Sequence, residues 1–324
     1  MNHVAVVGAT GLVGLSFLEL MQDKKIIPHK LSLFASEKSK GGSLQFAGKK
    51  YPVQTLEKTC FEGVDIAFFS AGGSVSKAWA RQAVREGAKV IDNSSAFRMD
   101  SAVPLVIPEV NAHHLKDQSL IANPNCSAIQ LCLVLHSLHL AFELESVQVA
   151  TYQSMSGAGA GALEKLKSET LSYLQGGASS FAFNCTPQIG DIKENGLSAE
   201  ETKMREETKK ILDCSQLDIT VLTVRVPTLF SHGEVLWVYL KKAPKSRNHF
   251  LEVLQKQKGL TVMKGYGEYP DNFSTTGKDD VFVGRIHQAP NNPHRWLMWI
   301  SADNIRKGAA LNGLQIAQLL MDKA

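Results

Sequence analysis

Apolar positions fall first in short runs and later in helical or alternating patterns. Val4 to Val7 is a β-branched apolar run that predicts a strand. It ends in the turn Gly8-Ala9-Thr10-Gly11-Leu12-Val13-Gly14, and apolar residues then recur at helical spacing from Leu12 to Met21. Leu31 to Ala35 predicts a second strand and Val64 to Phe69 a third, followed by Ser70, Ala71, Gly72 and Gly73 and a helix through Trp79 to Glu86. Lys89 to Ile91 predicts a fourth strand. Strands alternating with helices at this spacing imply right-handed crossovers and a parallel sheet. Residues 1–126 are therefore expected to form a doubly wound dinucleotide-binding domain, completed by a C-terminal helix at about 301–324, where Asn304 to Leu320 has helical periodicity.

The pattern changes after Ser127. Ala128 to Phe142 leans apolar on every side but is broken by Gln130, His136, Ser137 and His139, and it is shorter than a bilayer span of about 20 residues. It predicts a buried helix. Alternating runs follow at Val147 to Tyr152, Leu217 to Val226 and Val235 to Leu240, with connections judged too short for repeated crossover helices. Residues 127–300 thus read as an α+β domain with a mostly antiparallel sheet and helices on one face. The overall class is α/β. Ala199 to Asp213 is densely charged and predicts a solvated helix with i,i+4 pairs.

Composition narrows the class without choosing a function. The 324 residues suit two domains at about 150 residues each, and 44% hydrophobic with 20% charged residues excludes a disordered or membrane-embedded chain. The net charge of +4 is spread along the sequence, so nucleic acid is not an expected partner. Five cysteines without framework spacing fit a reducing compartment. No signal-peptide pattern precedes Val4, and a cytoplasmic location without membrane association is expected.

The glycine turn sits between a strand and a helix, where backbone amides and the positive helix end can face a pyrophosphate. Beyond the second strand come Ser36, Glu37, Lys38, Ser39 and Lys40. Glu37 could accept from a ribose 2′-hydroxyl, favouring NAD, whereas the two hydroxyls and two cations suit a 2′-phosphate; the balance favours NADP. Asn123-Pro124-Asn125-Cys126-Ser127 places Cys126 at a helix start, a position that favours a thiolate and can hold an oxyanion. Cys60, Cys132, Cys185 and Cys214 read as packing residues. A thiolate nucleophile also needs a proton partner, and among ten histidines His232, in Arg225-Val226-Pro227-Thr228-Leu229-Phe230-Ser231-His232, is a candidate. Cys132, His136 and His139 have only a faint metal-like spacing, and no metal is expected. Arg98 and Arg225 would suit a substrate carrying a carboxylate and a phosphate.

Taken in order, GATGLVG, FSAGGSVS (Phe69 to Ser76), DNSSAFR (Asp92 to Arg98), IPEVN (Ile107 to Asn111), NPNCS, TYQSMSGAG (Thr151 to Gly159), EETKM (Glu200 to Met204), RVP with its following His232, and GKDDVFVGRI (Gly277 to Ile286) resemble the aspartate-β-semialdehyde dehydrogenase family over nearly the whole chain. The resemblance implies NADPH-dependent reduction of L-aspartyl-4-phosphate to aspartate semialdehyde and phosphate, on the path to lysine, threonine and methionine, in a homodimer. It implies that Cys126 is the nucleophile that takes the acyl group as a thioester and His232 the acid/base, with Gln153 and Asn125 beside the acyl intermediate. By the same resemblance Arg98 and Lys203 bind phosphate, Arg225 the substrate carboxylate and Glu200 its ammonium. Gly8, Ala9, Thr10, Gly11, Leu12, Val13, Gly14, Ser36, Lys38, Ser39, Ser70, Gly72, Ser156, Gly157 and Asn312 fall at the dinucleotide. Lys38 departs from the arginine of many relatives, and the 174–181 stretch is shorter than the family pattern.

N-acetyl-glutamyl-phosphate reductases do parallel chemistry, but with glycine before and tyrosine after the nucleophile, where this chain has Asn125 and Ser127. A cysteine hydrolase would leave the glycine turn unexplained. A catalytically inactive binding homologue would not need both Cys126 and His232.

Overall fold

The apolar run His3–Val7 is buried along its whole length and forms the centre of a seven-stranded sheet, as a strand covered on both faces should. The computed structural model describes residues 2–322. They fall into two units, 2–125 with 309–322, and 126–308. In chain order the first unit contains β1 (His3–Val7), α1 (Leu12–Asp23), β2 (Lys30–Phe34), β3 (Ser43–Phe46), β4 (Lys49–Gln54), β5 (Ile66–Phe69), α2 (Gly73–Arg85), β6 (Lys89–Asp92), α3 (Pro108–Asn111) and β7 (Leu120–Ala122). The strand order is β3-β4-β2-β1-β5-β6-β7, with every pair parallel except the β3–β4 hairpin at one edge. β1 has β2 on one side and β5 on the other, so the crevice beyond its C-terminal end is a topological switch point.

The second unit begins with α4 (Cys126–Phe142) and β8 (Leu144–Gln153), then α5 (Ala160–Leu174), α6 (Ala199–Ile211), β9 (Asp218–Arg225), β10 (His232–Leu240), α7 (Arg247–Gln255), β11 (Leu260–Val262), α8 (Asn272–Thr275), β12 (Val281–Ala289) and β13 (Asn292–Ala302). The chain then returns to the first unit through a π-helical turn, Arg306–Ala310, and α9 (Leu311–Asp322). The six-stranded sheet has the order β11-β12-β13-β10-β8-β9. Its three middle pairs are antiparallel, but β8 pairs with β9 in parallel. This corrects the expectation of short connections throughout: the segment between β8 and β9 carries α5 and α6, the crossover that a parallel pair requires.

Two boundaries also shift. Ser301 and Ala302 still pair with Gly233 and His232, so the return to the first unit comes at residue 309 and not near 301. Cys126 is the first residue of α4 and belongs with the second unit. α4 is buried on nearly all sides, packed between α6, α7 and the sheet, and this explains its lack of a polar face. In the first unit, Phe17 of α1 stacks on Phe68 of β5 at 4.1 Å, and Leu314, Ile316, Ala317 and Leu320 of α9 complete the same core.

Candidate active site

The sheet of the second unit delivers its polar residues to one end. Gln153 and Arg225 are the last residues of the parallel strands β8 and β9 and stand directly opposite each other. His232 is the first residue of β10, which runs antiparallel to β8, so it emerges at that same end. There the Ser154 backbone joins two of these groups. Its N–H donates to His232 Nδ1 at 3.1 Å, and its carbonyl accepts from Arg225 Nη1 at 2.6 Å. Gly157 lies against both side chains: a Cβ there would come within 3.0 Å of Arg225 Nη1 and 3.1 Å of His232 Nε2.

α6 adds the acidic side. Ser198 caps it, accepting from the Glu201 N–H, while Glu201 Oε2 accepts from the Ser198 N–H and Oε1 from the Thr223 N–H of β9. This capping box ties the first turn of α6 to β9 and turns Glu200 inward. Glu200 is buried and accepts from Lys203 Nζ at 3.1 Å and, more weakly, from Gln153 Nε2 at 3.5 Å. The charged helix is thus not solvated all round: Glu200, Glu201 and Glu207 are buried.

Cys126 opens α4, and the π-helical turn sits against it. A Cβ on Gly308 would lie 2.9 Å from Cys126 Cβ, so only glycine lets this backbone approach Cys126 so closely. Burial pulls the Arg225 pKa down, against smaller opposing pulls from Cys126 and Glu200. Burial and then the Arg225 charge push His232 down to about 3, against a smaller opposing pull from Glu200. His232 is therefore neutral near pH 7. Its Nδ1 accepts the Ser154 N–H, which leaves the hydrogen on Nε2, and Nε2 is buried with no hydrogen-bond partner among the described residues.

In the first unit the glycine turn has the form a pyrophosphate needs. Gly8 has φ +87°, and a Cβ on it would meet the Ser70 carbonyl at 2.8 Å. The Gly8 and Ala9 N–H groups donate to Phe34 O, pinning the turn to β2, and α1 starts from Gly11 without a side-chain cap, so its opening amides suit an anion. Ser70 Oγ donates back to Val7 O, and Gly72, at φ +88°, precedes α2. Beyond β2, Thr10 Oγ1 and Ser39 Oγ are 3.4 Å apart, while Glu37 and Lys40 form an exposed ion pair at 3.5 Å. These residues fit a dinucleotide.

Arg98 is buried and donates to Asn123 O and Asn93 O, both at 2.9 Å. Asp92 organises this loop by accepting from Ser76 Oγ, Ser94 Oγ and the Ser94 N–H. Asn125, also buried, directly precedes Cys126. Asn312 is fully buried and donates to Val106 O and to Asn123 Oδ1, bracing the Asn123 loop. Ser156, another residue expected at the dinucleotide, directs its hydroxyl to Ser154 and Asn304.

Ser154 and Asn304 were not anticipated. Asn304 follows β13 at the shared end of the sheet; its Oδ1 accepts from the Ser231 N–H and lies 3.2 Å from Ser154 Oγ and 3.1 Å from Ser156 Oγ. The only sequence signal was a polar pair, Asp303-Asn304, closing an apolar strand. Cys132, His136 and His139 do not converge: His136 pairs with Gln257, His139 lies 3.4 Å from Cys214, and burial pushes the Cys132 thiol upward.

Comparison with known proteins accords with this geometry. The model for the semialdehyde dehydrogenase NAD binding domain matches residues 3–118, and that for the semialdehyde dehydrogenase dimerisation domain matches residues 135–307. The chain is 44% identical to the aspartate-semialdehyde dehydrogenase of Aquifex aeolicus, over 98% of both chains, and 41% identical to that of Bacillus subtilis, over 98% of this chain and 97% of the relative. The crystal structure of aspartate semialdehyde dehydrogenase II from Vibrio cholerae superposes with a TM-score of 0.95 at 39% identity, covering 99% of each chain. Another structure of that enzyme, complexed with ASA, also gives 0.95, at 38% identity over 99% of this chain and 98% of that one. The chain thus belongs to the aspartate-semialdehyde dehydrogenase family.

Proposed function

We propose that this protein carries out the NADPH-dependent reductive dephosphorylation of L-aspartyl-4-phosphate to L-aspartate-4-semialdehyde and phosphate through a thioester on Cys126, as a step toward lysine, threonine and methionine. The observation that carries the reading is the meeting of Arg225, Gln153 and His232 at one end of the second sheet, with the Arg225 charge acting on Cys126.

Cys126 attacks the acyl phosphate from the start of α4, and phosphate leaves as the thioester forms. The substrate carboxylate suits the planar Arg225 guanidinium, whose Nη1 is already fixed by Ser154 O. The substrate ammonium suits Glu200. Lys203, half-exposed, and Arg98 are each assigned to phosphate. Asn125 and the amides at the start of α4 stabilise the oxyanion of the tetrahedral state, a contribution of about 3 kcal/mol per donor. His232 offers Nε2–H to the same developing charge. Gln153, buried beside Glu200, orients the acyl group. When bound, the nicotinamide supplies a hydride to the thioester carbon.

The 2′-phosphate preference falls to Ser36, Lys38 and Ser39, because Lys40 is already paired with Glu37. Oxidation of aspartate semialdehyde with phosphate and NADP, followed by absorbance of the reduced cofactor, is expected, with N-acetyl-glutamate semialdehyde a poor substrate. Lys38→Glu should invert or erase the preference for NADP. Equal kcat/KM for the two cofactors in the unmodified protein would assign the discrimination to Glu37 instead.

A further inference from the structure

His232 and three residues beside it form one buried hydrogen-bonded chain. Asn304 Nδ2 donates to Ser156 Oγ at 3.0 Å, Ser156 Oγ and Ser154 Oγ are 3.0 Å apart, and Ser154 Oγ is 3.1 Å from His232 Nδ1. All four residues are almost wholly buried. An amide N–H can only donate, so the chain can run a hydrogen from Asn304 to Ser156, one from Ser156 to Ser154, and one from Ser154 to Nδ1. The Ser154 backbone N–H points at the same nitrogen. The backbone N–H has no other role than donor, so it places the ring hydrogen on Nε2, which has no hydrogen-bond partner among the described residues, and the Ser154 hydroxyl can add a second donor to Nδ1. Asn304 Oδ1 also accepts the Ser231 N–H, fixing the residue just before the histidine.

Resting on the proposed reaction, we infer that Ser154, Ser156 and Asn304 are positioning residues that hold His232 as an Nε2–H hydrogen-bond donor toward the reacting oxygen, so that it does not enter the reaction as the base that deprotonates Cys126. A base facing the nucleophile would need a bare Nε2, and then Nδ1–H would meet the Ser154 N–H head-on. In the donor arrangement no proton is transferred. Nε2–H shares its hydrogen with the oxyanion as charge develops, and takes back the same hydrogen bond when the carbonyl reforms.

The chain also admits reversal. If His232 gains a proton, Nδ1–H can donate to Ser154 Oγ, whose own hydrogen turns to Asn304 Oδ1 at 3.2 Å. The charged groups that bear on the ring are Arg225 from β9, which opposes that protonation, and Glu200 from α6, which favours it. Only the Ser154 N–H loses its acceptor in the reversed state, so the donor state is preferred.

The test is nitrogen NMR of the full-length protein labelled at histidine, near neutral pH, with the His232 signals assigned by comparison with His232→Asn. The expected result is a protonated Nε2 and a bare Nδ1, and this arm does not depend on which substrate is turned over. In parallel, Ser154→Ala and Asn304→Ala should lower kcat by about tenfold, the size of one neutral hydrogen bond, with KM for aspartate semialdehyde little changed, and Ser154→Thr should restore the rate. A hydrogen on Nδ1 with a bare Nε2 in the unmodified protein would overturn the inference. So would an unchanged kcat in both alanine variants where His232→Asn is impaired. If the alanine variants do not fold, the unmodified spectrum and Ser154→Thr decide it.

Discussion

His232 and Glu234 are neighbours on one strand, both fully buried, and both are held neutral for the same reason: a charge there would lose its water. The consequences for stability run in opposite directions. His232 is pushed down to about 3, so below about pH 6.5 the unfolded chain binds a proton that the fold refuses, and its effect is to lower stability as pH falls from there toward 3. Glu234 is pushed well above the ordinary carboxylate value, chiefly by burial, with Gln130 opposing. Above about pH 4.3 the unfolded chain releases a proton that the fold keeps, so Glu234 lowers stability as pH rises. Glu234→Gln keeps the shape and removes the titration. It should be more stable than the unmodified protein at pH 8, and the gain should shrink toward pH 5. Urea unfolding at both pH values measures this, and an equal difference between the two proteins at pH 5 and pH 8 would contradict it.

The elements act through their ends. Strands β8, β9, β10 and β13 finish or begin at one edge of the second sheet, and that alignment gathers Gln153, Arg225, His232 and Asn304 from distant parts of the chain. The turn after β8 closes over them with Gly157 against His232 and Arg225. Gly157→Ala should therefore push the imidazole or the guanidinium from its place. We expect kcat/KM for aspartate semialdehyde to fall by about tenfold or more while thermal stability changes little, and unaltered kinetics would show that the turn yields freely. Alternation and helical spacing made most of these elements legible, and the strand-glycine-helix context made the dinucleotide turn legible. The hairpin of β3 and β4 was not, because Ala47-Gly48, both at positive φ, is a short turn inside a mixed polar run. The β8–β9 crossover was missed because whether two strands run parallel is a property of the pair and not of one segment. Cys126, His232 and Arg225 could be singled out from chemistry and local context. Ser154 and Asn304 could not, since they sit 150 residues apart and only the folded sheet brings them together.

At the scale of the molecule, each unit carries its own part of the proposed chemistry: the first has the glycine turn and the loop that fixes Arg98, the second Cys126 with Arg225, Glu200 and His232. Among the described residues no helix is long and apolar enough to cross a membrane. The second unit exposes Leu171, Tyr173, Leu174, Phe183, Leu222 and Leu229, and it matches a dimerisation-domain model. We predict a homodimer in solution; sedimentation of the purified protein as a monomer at micromolar concentration would contradict this. The central claim is that Cys126 carries the acyl group. Its most direct test is mass spectrometry of protein mixed with L-aspartyl-4-phosphate without NADPH and quenched in acid. The account predicts an aspartyl adduct on the peptide containing Cys126 and on no other cysteine peptide, whereas a Cys126→Ala variant that turns over at the unmodified rate would contradict it.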